Sequence, residues 1–167
     1  IRSGHNIDPK VIEDALGAHP AVQLCAAVGA PDAYAGELPV VFATLVPGAS
    51  ASEEELLAFT AARVDEAPAK PRSVIVIEHM PMTNVGKIYK PELRAMAASR
   101  VVAATVAQVC GELGAPPAAW PRVRSEGESL VQVRIDAAAA GALAAPLQAR
   151  IRTALEALPF KTQVLAE

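Results

Sequence analysis

The stretch PMTNVGKIYKPELR, Pro81 to Arg94, sets Gly86 and Lys87 in a polar turn within a chain otherwise rich in alanine and aliphatic residues, and two more cations, Lys90 and Arg94, follow closely. A lysine fixed behind a glycine turn is a compact charge with three donors, suited to a group that carries or gains negative charge. The pairing is not a phosphate-binding P-loop. That motif needs a glycine where Pro81 stands and a serine or threonine where Ile88 stands. Taken alone, a Gly-Lys turn is most often a solvated surface lysine, so any chemistry here depends on what surrounds it. Neither His19 nor His79 has cysteine or carboxylate neighbours at ligand spacing, and no metal site is expected. Cys25 in an apolar run and Cys110 in a helical one read as reduced core thiols, which fits a cytoplasmic protein.

Composition narrows the setting. The chain has 167 residues, 52% of them hydrophobic and 20% charged, which suits one ordinary domain or two small ones and argues against disorder. A net charge of −3 and a pI near 5.7 give no general pull toward nucleic acid or an anionic membrane, so an anion site must be local. No apolar run reads as a transmembrane segment or signal peptide.

The elements that must position Lys87 follow from caps and periodicity. Asp8-Pro9 starts a helix with Ile12, Ala15 and Leu16 on its apolar face, ended by Gly17. AVQLCAAV and PVVFATLV read as an antiparallel strand pair, with GAPDAYAGE linking them. Ser52 and Glu55 form a capping box for a helix over 53–64 that turns Leu56, Leu57 and Phe59 to the sheet. SVIVIE is the next strand. The lysine stretch leaves it, and Pro91 opens another helix. From residue 100 the order repeats: helical VVAATVAQVCGEL, a loop, a hairpin of RVRS and LVQVRID, a helix from about residue 142 with Leu147, Ile151 and Leu155 on one face, and KTQVLA as a strand. The text also recurs, ALGAHPAV against ELGAPPAA. The expected fold class is α+β: a small three-stranded sheet with flanking helices over 1–99, then a second helix-strand-strand-helix-strand unit over 100–167, read as a degenerate internal duplicate.

The lysine stretch resembles the C-terminal signature of the adenylate-forming superfamily, the acyl-CoA synthetases, peptide-synthetase adenylation domains and luciferases. Pro81, Thr83, Gly86, Lys87, Ile88, Lys90, Leu93 and Arg94 match it. Upstream, SGHNIDPKVIEDAL is similar to the family segment just beyond the interdomain hinge, through Gly4, Asn6, Ile7, Pro9, Ile12 and Glu13. The resemblance covers about residues 1–99 and leaves 100–167 unassigned.

The resemblance implies that Lys87 is the catalytic lysine of adenylation, meeting the α-phosphate of ATP as a carboxylate attacks it. Gly86 and Thr83 would shape its turn, and Lys90 would anchor the loop or begin the helix. The loop with Ser3, Gly4 and His5 would line the pantetheine tunnel for CoA; His5 departs from the glycine or acidic residue common there. ATP and CoA would be substrates of the parent enzyme, with Mg2+ accompanying ATP in a large N-terminal domain whose phosphate loop is absent here. The chain is therefore expected to be a C-terminal fragment of an AMP-forming acid:CoA ligase, inactive alone, with that N-terminal domain as its partner. A peptide-synthetase domain ranks below this and luciferase-type oxidation lower still. The alternative is a non-catalytic interaction module with a vestigial lysine loop, dimerising through 100–167.

Overall fold

The computed structural model describes Arg2, Gly4 and residues 6–167. Ser3 and His5 lie outside the described residues. The chain divides into two compact units, Ile1–Arg94 and Ala95–Glu167.

In the first unit, helix α1 spans Pro9–Gly17, with Asp8 accepting from Lys10 N at its start. Strands β1 (Val22–Asp32) and β2 (Gly36–Leu45) pair antiparallel. The expected nine-residue linker between them shrinks to a tight turn because Asp32 Oδ1 accepts from Tyr34 N at 3.0 Å and Ala35 N at 2.8 Å, so the ladder continues to Asp32–Gly36. Helix α2 (Glu53–Ala61) is capped by Ser52, whose hydroxyl accepts from Glu55 N. It ends three residues before the expected Val64, which drops into a separate apolar cluster with Ala15 and Ala69. Leu56 is fully buried, whereas Phe59 is only partly so and meets His19 edge-on at 4.7 Å. Strand β3 (Ser73–Val76) lies parallel to β2, completing the order β1-β2-β3. Ile12, Leu16, Ala27, Val41, Ala43, Leu56 and Val74 form the core between this sheet and its two helices.

Helix α3 runs unbroken over Lys90–Glu112, joining two stretches that the sequence suggests as separate helices. By length and composition alone it could cross a membrane. Its Ala98, Val102, Val106, Val109 and Cys110 are instead buried in the core of the second unit.

That unit contains β4 (Arg122–Glu126), β5 (Leu130–Ile135), a short helix α4 (Ala137–Ala140), α5 (Ala144–Glu156) and β6 (Lys161–Ala166). Strand β4 pairs antiparallel with β5, and β6 parallel with β5, in the order β4-β5-β6. Leu147, Ile151 and Leu155 face Val131, Val133 and Ile135, as the four- and three-residue spacing requires. The two sheets therefore share one topology, an antiparallel hairpin followed by a helix and a parallel third strand. This is the α+β architecture expected, in both units.

Candidate functional site

Lys87 stands at the tip of a short hairpin built by its own motif. Pro81 O accepts from Tyr89 N at 2.8 Å, Met82 bridges Ile88 antiparallel, and Lys87 O accepts from Thr83 N at 2.7 Å. Between these rungs Gly86 N donates to Thr83 O at 2.9 Å, closing a four-residue turn, and Gly86 itself takes a φ of 77°. A turn followed by a left-handed glycine is a three-residue hairpin loop with a bulge, which matches the twist of the flanking strands. A side chain there would be strained, although a Cβ would meet nothing within 4 Å. Thr83 closes the arrangement by accepting from Lys87 N through its hydroxyl, at 3.1 Å. The backbone N–H and C=O of Lys87 are both hydrogen-bonded to Thr83, while its side chain is exposed. This is a presented cation with its backbone direction set in advance.

The base of the hairpin is tied down by Lys90, the first residue of α3. Lys90 Nζ donates to Glu13 Oε1 at 2.7 Å, and the same oxygen accepts from Ala27 N at 2.9 Å. Glu13 thus joins α1, the free edge of β1 and the start of α3. Lys90 therefore both begins α3 and pairs with Glu13. The sequence reading gave Glu13 no role beyond its place in the upstream motif. The available signal was a carboxylate beside the buried stripe of Ile12 and Leu16, where an unpaired charge would be costly.

Around this joint lies a cavity of about 200 Å³, lined by Arg2, Lys90, Arg94 and Glu37 over apolar Ile7, Ile12, Val28 and Pro39. The Glu37 side chain lies against Gly29, where a Cβ would come within 2.6 Å of its Cδ. Arg2, at the start of the upstream loop, bridges Gly36 and donates from Nη1 to Pro68 O at 2.8 Å, so that end of the loop is latched to the sheet. Gly4, the described member of the expected tunnel residues, has a φ of 86° and open space around it. Burial first, then the charges of Glu13 and Asp14, push the Cys25 thiol up to about 11, and its Sγ donates to Glu13 O at 3.3 Å. It is a structural thiol. His19 is also structural: it is 8% exposed and its Nδ1 accepts from Ala21 N. Among the described residues no cluster of histidine, cysteine and carboxylates could hold a metal ion.

Comparison with known proteins agrees with this arrangement. A family model described as the AMP-binding enzyme C-terminal domain matches residues 11–87. The marinolic acid–CoA ligase of Pseudoalteromonas sp. is 48% identical over 94 residues, 56% of this chain and 14% of that protein. The long-chain-fatty-acid–CoA ligase of Bacillus subtilis is 42% identical over 94 residues, 56% of this chain and 16% of the ligase. Among solved structures, apo MatB from Rhodopseudomonas palustris aligns with a TM-score of 0.54 at 30% identity, over 57% of this chain and 19% of that one. An acyl-CoA synthetase of Brucella canis aligns with a TM-score of 0.52 at 36% identity, over 57% of this chain and 18% of that one. The chain thus spans less than a fifth of the length of each. Residues 11–87, which end on the lysine hairpin, thus match the AMP-binding enzyme C-terminal domain, and the relatives and solved structures that cover this part of the chain are acyl-CoA ligases and synthetases.

Proposed function

We propose that this chain serves as the C-terminal portion of an AMP-forming acid:CoA ligase, in which Lys87 supplies the cation for adenylation. In the first half-reaction a carboxylate oxygen attacks the α-phosphorus of ATP, an acyl-adenylate forms, and pyrophosphate leaves. Negative charge gathers on the phosphorus oxygens and the leaving group, and an ammonium already in place there can contribute about 3–4 kcal/mol. In the second half-reaction the CoA thiol attacks the acyl carbon and AMP leaves. That step makes no demand on Lys87. The loop with Ser3, Gly4 and His5 offers the small-residue passage for pantetheine, with Gly4 allowing close backbone approach. Lys90 acts through Glu13 as an anchor of the hairpin, and Gly86 through the turn geometry.

The observation that carries this reading is the hairpin 81–89, which presents Lys87 to solvent from a turn braced by backbone hydrogen bonds at Pro81, Thr83, Gly86, Lys87 and Tyr89. The lysine domain is assigned to residues 1–99 and the appended unit to 100–167, a boundary that falls inside α3. ATP, with Mg2+, and the acyl group would bind in a large N-terminal domain, and the setting is the cytoplasm, where ATP and CoA are supplied.

The test times the two half-reactions separately in the full-length parent enzyme. Lys87→Ala should slow acyl-adenylate formation roughly 100- to 1000-fold, the scale for one preorganised charge contact, and leave thioester formation from added acyl-adenylate nearly intact. Equal loss in both halves would give Lys87 a structural role and sink the proposal. No loss in either would favour the vestigial-loop alternative. The 167-residue chain by itself should give no ATP–pyrophosphate exchange; substantial exchange would contradict the assignment of ATP to a separate domain.

A further inference from the structure

The solvent face of the second sheet carries like charges in direct opposition. Val131, Val133 and Ile135 turn into the core, so strand alternation sends Leu130, Gln132 and Arg134 of β5 to the opposite face. The register places Arg122, Arg124 and Glu126 of β4 and Lys161, Gln163 and Leu165 of β6 beside them. Arg122 stands directly across from Arg134, and Arg124 lies two residues along β4 on the same side. All three arginines are exposed. Like charges directly opposite in an antiparallel pair are destabilising, and no packing at exposed positions requires arginine. Arg134 relieves part of this by donating from Nε and Nη2 to Gln132 Oε1 at 3.3 and 3.1 Å, with Nη1 at 3.7 Å from Glu167. The chain as a whole carries −3, so the face is a local feature and not a share of general basicity.

We propose that this face docks an acidic α-helix of a partner protein. Residues two apart on a strand are about 7 Å apart, and directly opposed residues about 5 Å. Carboxylates at i, i+3 and i+4 on a helix recur at about 5–6 Å, so one acidic helical face can meet all three guanidiniums. The guanidinium forks of Arg122 and Arg124 can each take a carboxylate through two parallel hydrogen bonds, and Arg134, whose Nε and Nη2 are turned to Gln132, adds its charge beside them. The Gln132–Gln163 pair, Nε2 to Oε1 at 2.9 Å, extends the row with further amide groups. The surface is an open sheet and not a cleft, which suits the flat side of a macromolecule better than a small anion. No aromatic residue stands at its outward positions to stack a nucleotide base.

The test uses the full chain, isotopically labelled, and follows its amide resonances during titration. The probe is a helical peptide of about 20 residues bearing glutamate at every fourth position, with spacing one turn of helix. Inorganic phosphate and a short single-stranded DNA are titrated in parallel. The acidic helix should shift the amides of residues 122–124, 132–134 and 163. Binding should weaken at least about 10-fold in Arg122→Gln/Arg124→Gln and fall steeply as salt rises through the range where screening acts within about 10 Å. Arg150→Gln, which removes a pair with Glu112 elsewhere in the unit, should bind as the parent does. The thermal midpoint of Arg122→Gln should hold or rise, because a repulsion is removed. Shifts elsewhere, no shifts, equal weakening in Arg150→Gln, or DNA or phosphate binding at these amides as tightly as the peptide would each overturn the proposal.

Discussion

Removing the charge of Glu13 asks whether an ion pair holds the lysine hairpin at its base. Glu13 Oε1 lies 2.7 Å from Lys90 Nζ and 2.9 Å from Ala27 N, with the two side chains 25% and 32% exposed. At 2.7 Å the Coulomb energy of two unit charges is about 1.5 kcal/mol in bulk water and about 6 kcal/mol at an effective dielectric constant of about 20. Desolvation of both groups and the roughly 2 kcal/mol of lysine torsional entropy offset most of the higher figure. A coupling of about 1–2 kcal/mol remains, above the ordinary exposed pair. Glu13→Gln keeps an acceptor for Ala27 and removes the charge; Lys90→Met keeps the stem and removes the ammonium. Each should cost about 1–2 kcal/mol, and the two together little more than either. Glu13→Ala should cost about 2–4 kcal/mol, because it also orphans the Ala27 amide. Ala27 is only 3% exposed. Urea unfolding followed by far-ultraviolet circular dichroism measures the cycle. Amide exchange at Ala27 gives a local readout within the first unit, since the two units need not unfold together. Strictly additive single changes, or Glu13→Ala no worse than Glu13→Gln, would refute the assignment of Glu13 as the joint.

Three further outcomes are expected. Gly86→Ala should cost about 1 kcal/mol from the left-handed φ alone, since its Cβ meets no neighbour, and should slow adenylation in the parent while sparing the thioester half; separate half-reaction rates decide it. At Asp32, amide hydrogen bonds from Ala35 and then Tyr34 hold the carboxyl below its ordinary range. A depressed folded-state value gives stability that is present above the unfolded carboxyl's titration and lost as pH falls through the folded one, so the thermal midpoint gap between wild type and Asp32→Ala should close under acid. For Cys25, raised from 9.0 to about 11, the folded thiol stays neutral while an unfolded one ionises. The associated stability is full below pH 9 and declines as pH climbs toward 11. Alkylation mapped by mass spectrometry at mildly alkaline pH should be about 100-fold slower in the folded chain than in urea; equal rates would mean that the thiol is open to solvent.

The sequence by itself determined what depends on neighbours along the chain. Asp8-Pro9 and Ser52 with Glu55 placed two helix starts, because capping is a contact between residues two or three apart. The stripe of Leu147, Ile151 and Leu155 fixed the buried face of α5. The turn that presents Lys87 was also legible, since its hydrogen bonds run among Thr83, Gly86 and Lys87, close neighbours along the chain. Strand ends were less so: the antiparallel ladder reached Asp32 because a side-chain turn tightened a linker that looked long by composition. Only the tertiary structure decided the rest. That β3 and β6 each lie parallel to the middle strand of their sheet follows from how a helix crosses back over the sheet, and no local pattern records it. The meeting of Glu13 with Lys90 joins residues 77 positions apart. Arg122 faces Arg134 only once the hairpin register is set. Such pairs are matters of distance in space, and spacing along the chain carries no term for them until the backbone has closed on itself.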